Sequence, residues 1–351
     1  MTTATLVAIV LAAATCAPAQ GLVERHVFAM GTTLSVEVRA PLRSTALAAS
    51  EAAVRAAAEV ERRLSVWRAD SDVSRINSAP IGVLVGVDRI TVADLRWALR
   101  LAAKTGSAFD PSVGSLVSAY GLRDGGRWPD AAALAAAKAA VGGNWFSFED
   151  AGVVRHRTEA SLDCDAFGKG LALDHAAVAA RAAGATGVLL DFGGQVAVVG
   201  DLGRELWLPI VHPVARERIV AEVLLAPGWS AATSGNGERA ESADGRRVLR
   251  LLDPRSGLPA ADFGSATAIA NGAALADAAS TACFVLGPRD PALLQVCGNL
   301  GAEAVLVEFT GIGTDHCAAV RVRATAGLAG RVRAIAGVVE FFATNPGSSK
   351  P

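Results

Sequence analysis

The sequence has too little positive charge for a typical nucleic-acid-binding protein. Only 19% of its 351 residues are charged, and Lys+Arg (33) almost balance Asp+Glu (34), which leaves a net charge of −1. Proteins that bind nucleic acids present a basic surface, so this balance argues against that class of partner. Only four residues are lysine, and arginine supplies the other cations. This bias is typical of GC-rich genes, so we give the arginine count no functional weight.

Long apolar runs are also missing. After the N-terminal segment, no apolar run approaches the roughly 18–20 residues of a membrane-spanning helix. Leu6–Thr15 is a short apolar run, and Ala17-Pro18-Ala19 after it is typical of an export-signal cleavage site. We therefore expect a protein that is periplasmic or associated with the periplasmic side of the inner membrane. Cys16 leaves a lipid anchor open as an alternative, and this would be the sole membrane contact. The expected parts are a signal peptide, one domain and a disordered tail, at residues 1–19, 20–344 and 345–351.

Several catalytic and metal-binding motifs are absent. The chain contains no C-x-x-C pair, no G-x-S-x-G motif and no histidines at metal-ligand spacing, which excludes the usual zinc sites and serine hydrolases. The cysteines after the expected signal are Cys164, Cys283, Cys297 and Cys317. Export would permit disulfides, but spacing does not establish a pair. Cys164 and Cys283 lie in apolar runs and are expected to be small core residues.

Apolar residues are abundant. They make up 52% of the chain, which excludes a disordered protein and allows a large core. Helical and strand patterns follow one another without regular alternation, which predicts a mixed α/β (α+β) fold. Helices are expected at 45–64, 92–105, 131–141, 170–183 and 273–286. Strands are expected at 26–39 (interrupted at 30–32), 147–156, 188–191, 196–199, 206–211, 219–225, 247–252, 302–309 and 332–342.

A glycine-bracketed lysine follows an apolar segment. Lys169 lies between Gly168 and Gly170, where a helix is expected to begin. A helix N-terminus presents free N–H groups and the positive end of the helix dipole, which suits an anion such as phosphate. The alternative is a strand–turn–helix unit with a surface lysine.

A carboxylate and a hydroxyl share one face of a predicted helix. Asp277 and Thr281 are four residues apart, and both offer the hard oxygen ligands that Mg²⁺ prefers. The alternative is that Asp277 caps a helix and Thr281 bonds to the backbone. Similarly, Trp67 is expected either to stack on a planar ring or to be buried in the core.

Eight ordered motifs together carry a resemblance. They are M-G-T (30–32), L-S-x-W with S-x-V-x-R-x-N (64–77), F-D-P-x-V-G (109–114), D-x5-K-G-x3-D (163–174), paired glycines (193–194), T-S-G (233–235), D-P-R-S-G-x-P (253–259) and A-D-A-x-x-T-A-x-F-V-L-G (276–287). With these motifs in this order, the chain resembles the ApbE family, the FAD:protein FMN transferases. The resemblance implies a mixed α/β fold with an FAD cleft.

The resemblance also implies the reaction and its residues. FMN would pass from FAD to a Ser or Thr hydroxyl of an acceptor protein that carries a D-x-x-[ST]-G-A-[ST]-like motif. The products would be a phosphoester and AMP, and Mg²⁺ would bridge the FAD diphosphate and protein oxygens. The implied metal ligands are Asp277, Thr281 and the backbone carbonyl of Ala166. The implied FAD contacts are Met30, Trp67, Ala108, Phe109, Asp110, Asp163, Lys169 and Leu252.

One position departs from the family pattern. The family usually carries histidine just before the D-P turn, whereas this chain carries Arg250. Histidine accepts a proton near neutral pH and arginine does not. We expect the catalytic residues to be Asp277, Lys169 and Arg250. Two alternatives stay open, an FAD pyrophosphatase that yields FMN and AMP with water as the nucleophile, and, because of this departure, an FAD-binding protein without turnover.

Overall fold

The computed structural model describes residues 21–236, 241–243, 246–312, 318–335 and 337–342. The α-helices in these ranges are α1 (Arg43–Leu64), α2 (Asp72–Ser78), α3 (Arg89–Lys104), α4 (Gly114–Ala119), α5 (Ala131–Ala139), α6 (Gly168–Ala182), α7 (Ala273–Leu286) and α8 (Ala292–Leu300). The strands are β1 (Gly21–Ala29), β2 (Thr32–Ala40), β3 (Leu84–Gly86), β4 (Phe146–Glu149), β5 (Gly152–Arg155), β6 (Gly187–Phe192), β7 (Val196–Gly200), β8 (Trp207–Val211), β9 (Ile219–Leu224), β10 (Ser230–Gly235), β11 (Glu241–Ala243), β12 (Arg246–Val248), β13 (Gly264–Ala270), β14 (Glu303–Ile312), β15 (Ala318–Ala324), β16 (Val332–Ala334) and β17 (Val339–Phe341). Helices and strands are mixed along the chain, which confirms the predicted fold class.

One nine-stranded sheet organises the molecule, in the order β1-β2-β6-β7-β10-β13-β14-β15-β17. Its neighbouring strands are antiparallel except for the parallel β15–β17 pair. Smaller sheets are formed by β16-β9-β8, by β3-β5-β4 and by the β11–β12 pair.

The central strands of the nine-stranded sheet are buried on both faces. On one face its side chains share a core with helices α1, α6 and α7. On the other face they share a second core with the β16-β9-β8 sheet. The central strand β13 is buried along its whole length. The chain thus forms three layers, with α6 and α7 adjacent on the helical side.

The predicted helices all form, and α1, α6 and α7 begin within two residues of their expected starts. The expected strand at 26–39 is the β1–β2 hairpin, and 147–156 is the β4–β5 hairpin. Cys164 and Cys283 are buried, as expected. No helix in the described ranges is long and apolar enough to cross a membrane. The expected signal peptide and tail lie outside those ranges.

Two expected strands were wrong. The strand expected at 247–252 ends at Val248. Leu251 and Asp253 instead form backbone hydrogen bonds with Ala260 and Leu258, which close the turn between them.

The expected strand at 332–342 is split into β16 and β17, which join different sheets. The left-handed conformation of Gly337 (φ 78°) lies between them.

Candidate functional site

A cleft of about 790 Å³ opens beside the N-terminal ends of α6 and α7. Its walls come from segments far apart in sequence, including the β1–β2 turn, the end of α1, the loop before α6, the end of β10 and α7. The structure brings every predicted site residue to this cleft. They are Met30, Trp67, Ala108, Phe109, Asp110, Asp163, Ala166, Lys169, Arg250, Leu252, Asp277 and Thr281.

Helices α6 and α7 touch at Gly170, and this contact places Lys169 in the cleft. A Cβ atom on Gly170 would lie 2.4 Å from the carbonyl oxygen of Ala273 and 2.5 Å from the Cα of Ala274. Real Cβ atoms do not approach other atoms so closely, so only glycine permits this packing. The glycine after the lysine therefore has a packing role.

Each of these two helices caps the other. Asp174 on α6 accepts hydrogen bonds from the backbone N–H groups of Ala273 and Ala274, at 2.7 and 2.9 Å. Asp277 on α7 accepts one from the N–H of Gly170 in the first turn of α6, at 3.1 Å. Both carboxylates thus satisfy N–H groups that have no partner within their own helix. The reciprocal caps fix the position of the Asp277–Thr281 face relative to Lys169.

Asp277 is almost completely buried, with 3% of its surface exposed. Burial raises the pKa of its carboxyl to about 6, although nearby Lys169 and the Gly170 and Gln195 hydrogen bonds oppose the shift. A buried carboxylate with this environment is an electrostatically costly group that a cation would stabilise. Asp277 can therefore serve both as a cap of α6 and as a metal ligand, because it accepts a hydrogen bond from Gly170 and also lines the cleft.

The donor set suits Mg²⁺ that shares its coordination with a substrate. Thr281 lines the cleft one helical turn after Asp277, and the Ser234 hydroxyl lies 3.3 Å from the Thr281 hydroxyl. The described residues contain no group of three or more His, Cys, Asp or Glu side chains placed to hold a metal. Mg²⁺ commonly uses one or two carboxylates and takes its other ligands from phosphate and water. These residues therefore fit Mg²⁺ when a diphosphate completes the site.

Gln195 is a cleft residue that the sequence reasoning missed. Its Nε2 donates a hydrogen bond to Asp277 Oδ1 at 2.7 Å, and its Oε1 is buried without a partner among the described residues. The carboxylate can only accept, which determines the orientation of the amide. The signal in the sequence was the preceding pair Gly193-Gly194, both with positive φ, which form the tight turn between β6 and β7. Gln195 lies directly before β7 and points its amide at Asp277.

We expect Gln195→Met to weaken Mg²⁺-dependent FAD binding by about 10-fold, because groups that orient a metal ligand typically contribute 10- to 100-fold to affinity. Calorimetric titration of FAD with and without Mg²⁺ measures this without requiring turnover. Gln295→Met, on the exposed face of α8, is the matched control and should leave the affinity unchanged. Equal affinities for the two variants would contradict a positioning role for Gln195.

Trp67 lies at the rim of the cleft and has 65% of its surface exposed, so the alternative of a core tryptophan was wrong. The guanidinium of Arg123 lies 5.8 Å from its ring centre and also pairs with Asp163. Arg123 was not predicted, because nothing in its local sequence distinguishes it from the other arginines. Burial raises the pKa of Asp163, and the charge of Arg123 opposes this shift. The exposed ring face is suited to stacking on a flat aromatic ligand.

Asp110 is buried at the inner wall of the cleft, next to Ala108 and Phe109. Its carboxylate accepts hydrogen bonds from both the backbone N–H and the hydroxyl of Ser112, at 2.8 and 2.5 Å. Burial raises the pKa of this carboxyl, and the two bonds oppose the shift. Asp110 thus holds the turn that shapes this wall.

Met30 and Gly31 form the two-residue turn between β1 and β2, with φ values of 44° and 73°. Two positive φ values match a type I′ hairpin turn, in which a non-glycine residue is unusual. The backbone N–H of Met30 donates a hydrogen bond to the Glu61 side chain at 3.0 Å. This contact anchors the turn to α1 and keeps Met30 over the cleft.

Arg250 lines both the main cleft and a smaller adjoining cavity of about 270 Å³. Its guanidinium has no hydrogen bond or ion pair to any described residue. The smaller cavity also contains Lys169 and the buried Nδ2 of Asn236, which has no partner within the described ranges. No carboxylate or imidazole is among its described lining residues. The described residues of this cavity therefore offer positive charge and hydrogen-bond donors, and none of them carries a carboxylate or imidazole that could accept a proton near neutral pH.

Comparisons with known proteins agree with one another. A model of the ApbE family matches residues 30–306. A protein of Rhodobacter capsulatus named FAD:protein FMN transferase is 30% identical over 296 residues, which are 83% of this chain and only 56% of that protein. One of the same name from Klebsiella pneumoniae is 31% identical over 269 residues, which are 72% of this chain and 75% of that protein.

Solved structures show the same architecture. The apo form of the flavinyl transferase ApbE of Pseudomonas stutzeri matches with a TM-score of 0.72 and 25% identity, over 86% of this chain and 95% of that one. The ApbE protein of Thermotoga maritima matches with a TM-score of 0.73 and 30% identity, over 82% of this chain and 94% of that one.

Proposed function

Because this chain belongs to the ApbE family, as its motifs predicted, we propose that it transfers FMN from FAD to a Ser or Thr hydroxyl of an acceptor protein. The reaction forms a phosphoester with the acceptor and releases AMP, and it uses Mg²⁺. The observation that carries this proposal is the arrangement of Asp277, Thr281 and Lys169 on one wall of a cleft large enough for a dinucleotide.

The residues at the α6–α7 contact are suited to binding the diphosphate. Asp277, Thr281 and the carbonyl of Ala166 would hold Mg²⁺, which neutralises phosphate charge and polarises the bridging oxygen when bound. Lys169 at the start of α6 supplies a second positive charge to the departing AMP phosphate. These fixed charges stabilise the transition state, because they need no rearrangement as charge builds up.

The rim of the cleft is suited to the aromatic parts of FAD. Trp67 offers an exposed ring face, and the Met30 turn and the Asp110 wall enclose the cleft beside it. Such contacts orient the phosphorus toward the incoming hydroxyl. The hydroxyl oxygen bonds to the FMN phosphorus, the bond to the AMP phosphate breaks, and the hydroxyl proton is released.

With arginine at position 250, removal of the proton from the acceptor hydroxyl is the slow part of this reaction. No described histidine lines the cleft, and arginine does not accept a proton at neutral pH. The proton would therefore pass to solvent or to a carboxylate that lines the cleft, such as the exposed Asp165, with Arg250 and Lys169 stabilising the alkoxide that forms.

The test is incubation with FAD, Mg²⁺ and a synthetic peptide carrying the D-x-x-[ST]-G-A-[ST] motif. We expect the peptide to gain the mass of FMN less one water and AMP to appear in equal amount. A peptide with alanine at both Ser/Thr positions, and a reaction with EDTA, are the controls. Release of free FMN would instead identify a pyrophosphatase, and unchanged FAD would identify a binding protein.

We also propose that the enzyme is exported by the signal at residues 1–19 and acts on periplasmic or membrane-bound acceptors. The apolar run at Leu6–Thr15 and the Ala17-Pro18-Ala19 sequence support this location. N-terminal sequencing of the protein from a periplasmic fraction would test it, and a mature protein that retains Met1 would contradict it.

A further inference from the structure

Two buried cysteines meet between α7 and α8. Cys283 is 1% exposed and Cys297 is 4% exposed, and their sulfur atoms are 3.7 Å apart. Cys283 lies near the C-terminal end of α7, and Cys297 lies on the face of α8 that packs against it. Sequence spacing alone did not select this pair from the cysteines in the chain.

We propose that Cys283 and Cys297 form a disulfide bond that joins α7 to α8 in the mature protein. A disulfide requires sulfur atoms about 2.0 Å apart, so the two thiols, which lie 3.7 Å apart, must approach further to form the bond. The bond would close a short loop, since the two residues are 14 positions apart. The inference is independent of the proposed transfer reaction.

The chemistry balances as a thiol–disulfide exchange. The two thiols lose two protons and two electrons, and an external disulfide, such as oxidised glutathione or an oxidoreductase disulfide, is reduced to two thiols. Because both sulfurs are buried, exchange must take place before α7 and α8 have packed or during a local opening. Contact with Cys297 and burial raise the pKa of the Cys283 thiol, which slows any later exchange by the folded protein.

The bond would support the helix that carries the predicted metal ligands. Thr281 is two residues before Cys283, and Asp277 lies further along the same helix. Joining α7 to α8 restricts the unfolded chain. We expect reduction of the bond to lower Tm by roughly 5 °C, given the usual stabilisation by a loop of this length and the size of the domain.

The first experiment detects the bond directly. The full chain is folded in a glutathione redox buffer and then unfolded in denaturant, where free thiols are alkylated without reduction before the protein is digested with trypsin. Cys283 lies in the expected peptide 256–289, and Cys297 lies in 290–321 together with Cys317. Cys317→Ser removes this ambiguity, so the measurement is made in that variant.

We expect the two peptides to be cross-linked in Cys317→Ser and to separate after reduction. In the same background Cys297→Ala should abolish the cross-link and make Tm insensitive to reductant. Alkylation of both Cys283 and Cys297, when the Cys317→Ser protein folded in this buffer is unfolded without reduction, would overturn the proposal. This readout uses the native pair and does not depend on the folding of the Cys297→Ala variant.

Discussion

Asp277→Asn should abolish FMN transfer and, at the same time, stabilise the metal-free protein. The variant removes the charge that would bind Mg²⁺ but keeps nearly the same shape. The caps can survive, because the new amide oxygen can accept from Gly170 while its NH₂ faces Gln195. Gln195 then needs only to rotate its amide so that the Oε1, now unpaired, accepts this hydrogen bond. We expect transfer to fall at least about 100-fold, the scale of losing a strong electrostatic stabiliser.

The stability gain follows from the raised pKa of Asp277. Burial lifts this pKa from 3.8 to about 6, so the folded protein binds the proton more tightly than the unfolded chain does. The resulting stabilisation is complete below the unfolded pKa and is lost as the pH rises through about 6. At pH 8 the native protein therefore carries an unfavourable buried charge, and Asp277→Asn should increase the free energy of unfolding by up to about 3 kcal/mol. At pH 4 the difference should nearly vanish.

Denaturant unfolding at pH 4 and pH 8 without metal, together with the transfer assay, measures both effects. Asp150→Asn alters an exposed carboxylate in the turn between β4 and β5 and serves as the control, with no change expected in either assay. Retained transfer by Asp277→Asn would refute its assignment as a metal ligand. If Asp277→Asn is instead less stable than the native protein at pH 8, the ionised carboxylate of Asp277 must be well solvated or paired in the native fold.

Arg250→His should increase the rate of FMN transfer. The native cleft has no described histidine, and the smaller cavity beside Arg250 has no described carboxylate or imidazole. A general base typically contributes 10²- to 10⁴-fold, and a side chain placed without optimised partners recovers part of this. We therefore expect an increase of about 10-fold at pH 8, and a new decline in rate below the pKa of the imidazole.

Rates measured from pH 5.5 to 9 with the acceptor peptide test this expectation. Arg250→Gln removes the positive charge without adding a base, so it should give no increase and no new pH dependence. An equal gain in both variants would assign the effect to loss of the arginine. No gain in Arg250→His would show that proton removal does not limit the native enzyme.

Local sequence patterns were sufficient to predict the helices that position the site. Helices α1, α6 and α7 follow from apolar periodicity within single segments, which does not depend on distant contacts. The order of the motifs identified the family, and the predicted residues, including Lys169 and Asp277, meet in one cleft. The two expected strands that failed were those at 247–252 and 332–342. Residues 332–342 are divided between two sheets, because tertiary pairing decides where an isolated strand lies.

The composition, the expected helices and the family were thus readable from the sequence, since a helix depends on neighbours a few positions apart and the family is identified by short motifs and their order. Contacts between helices and strands could not be read from the sequence. The Gly170 crossing, the reciprocal caps of Asp174 and Asp277, and the approach of Gln195 to Asp277 join residues about 80 to 107 positions apart, through bonds of about 3 Å. Such contacts depend on the relative placement of packed helices and strands. Only the folded chain determines that placement, and with it the choice of Cys283 and Cys297 as neighbours.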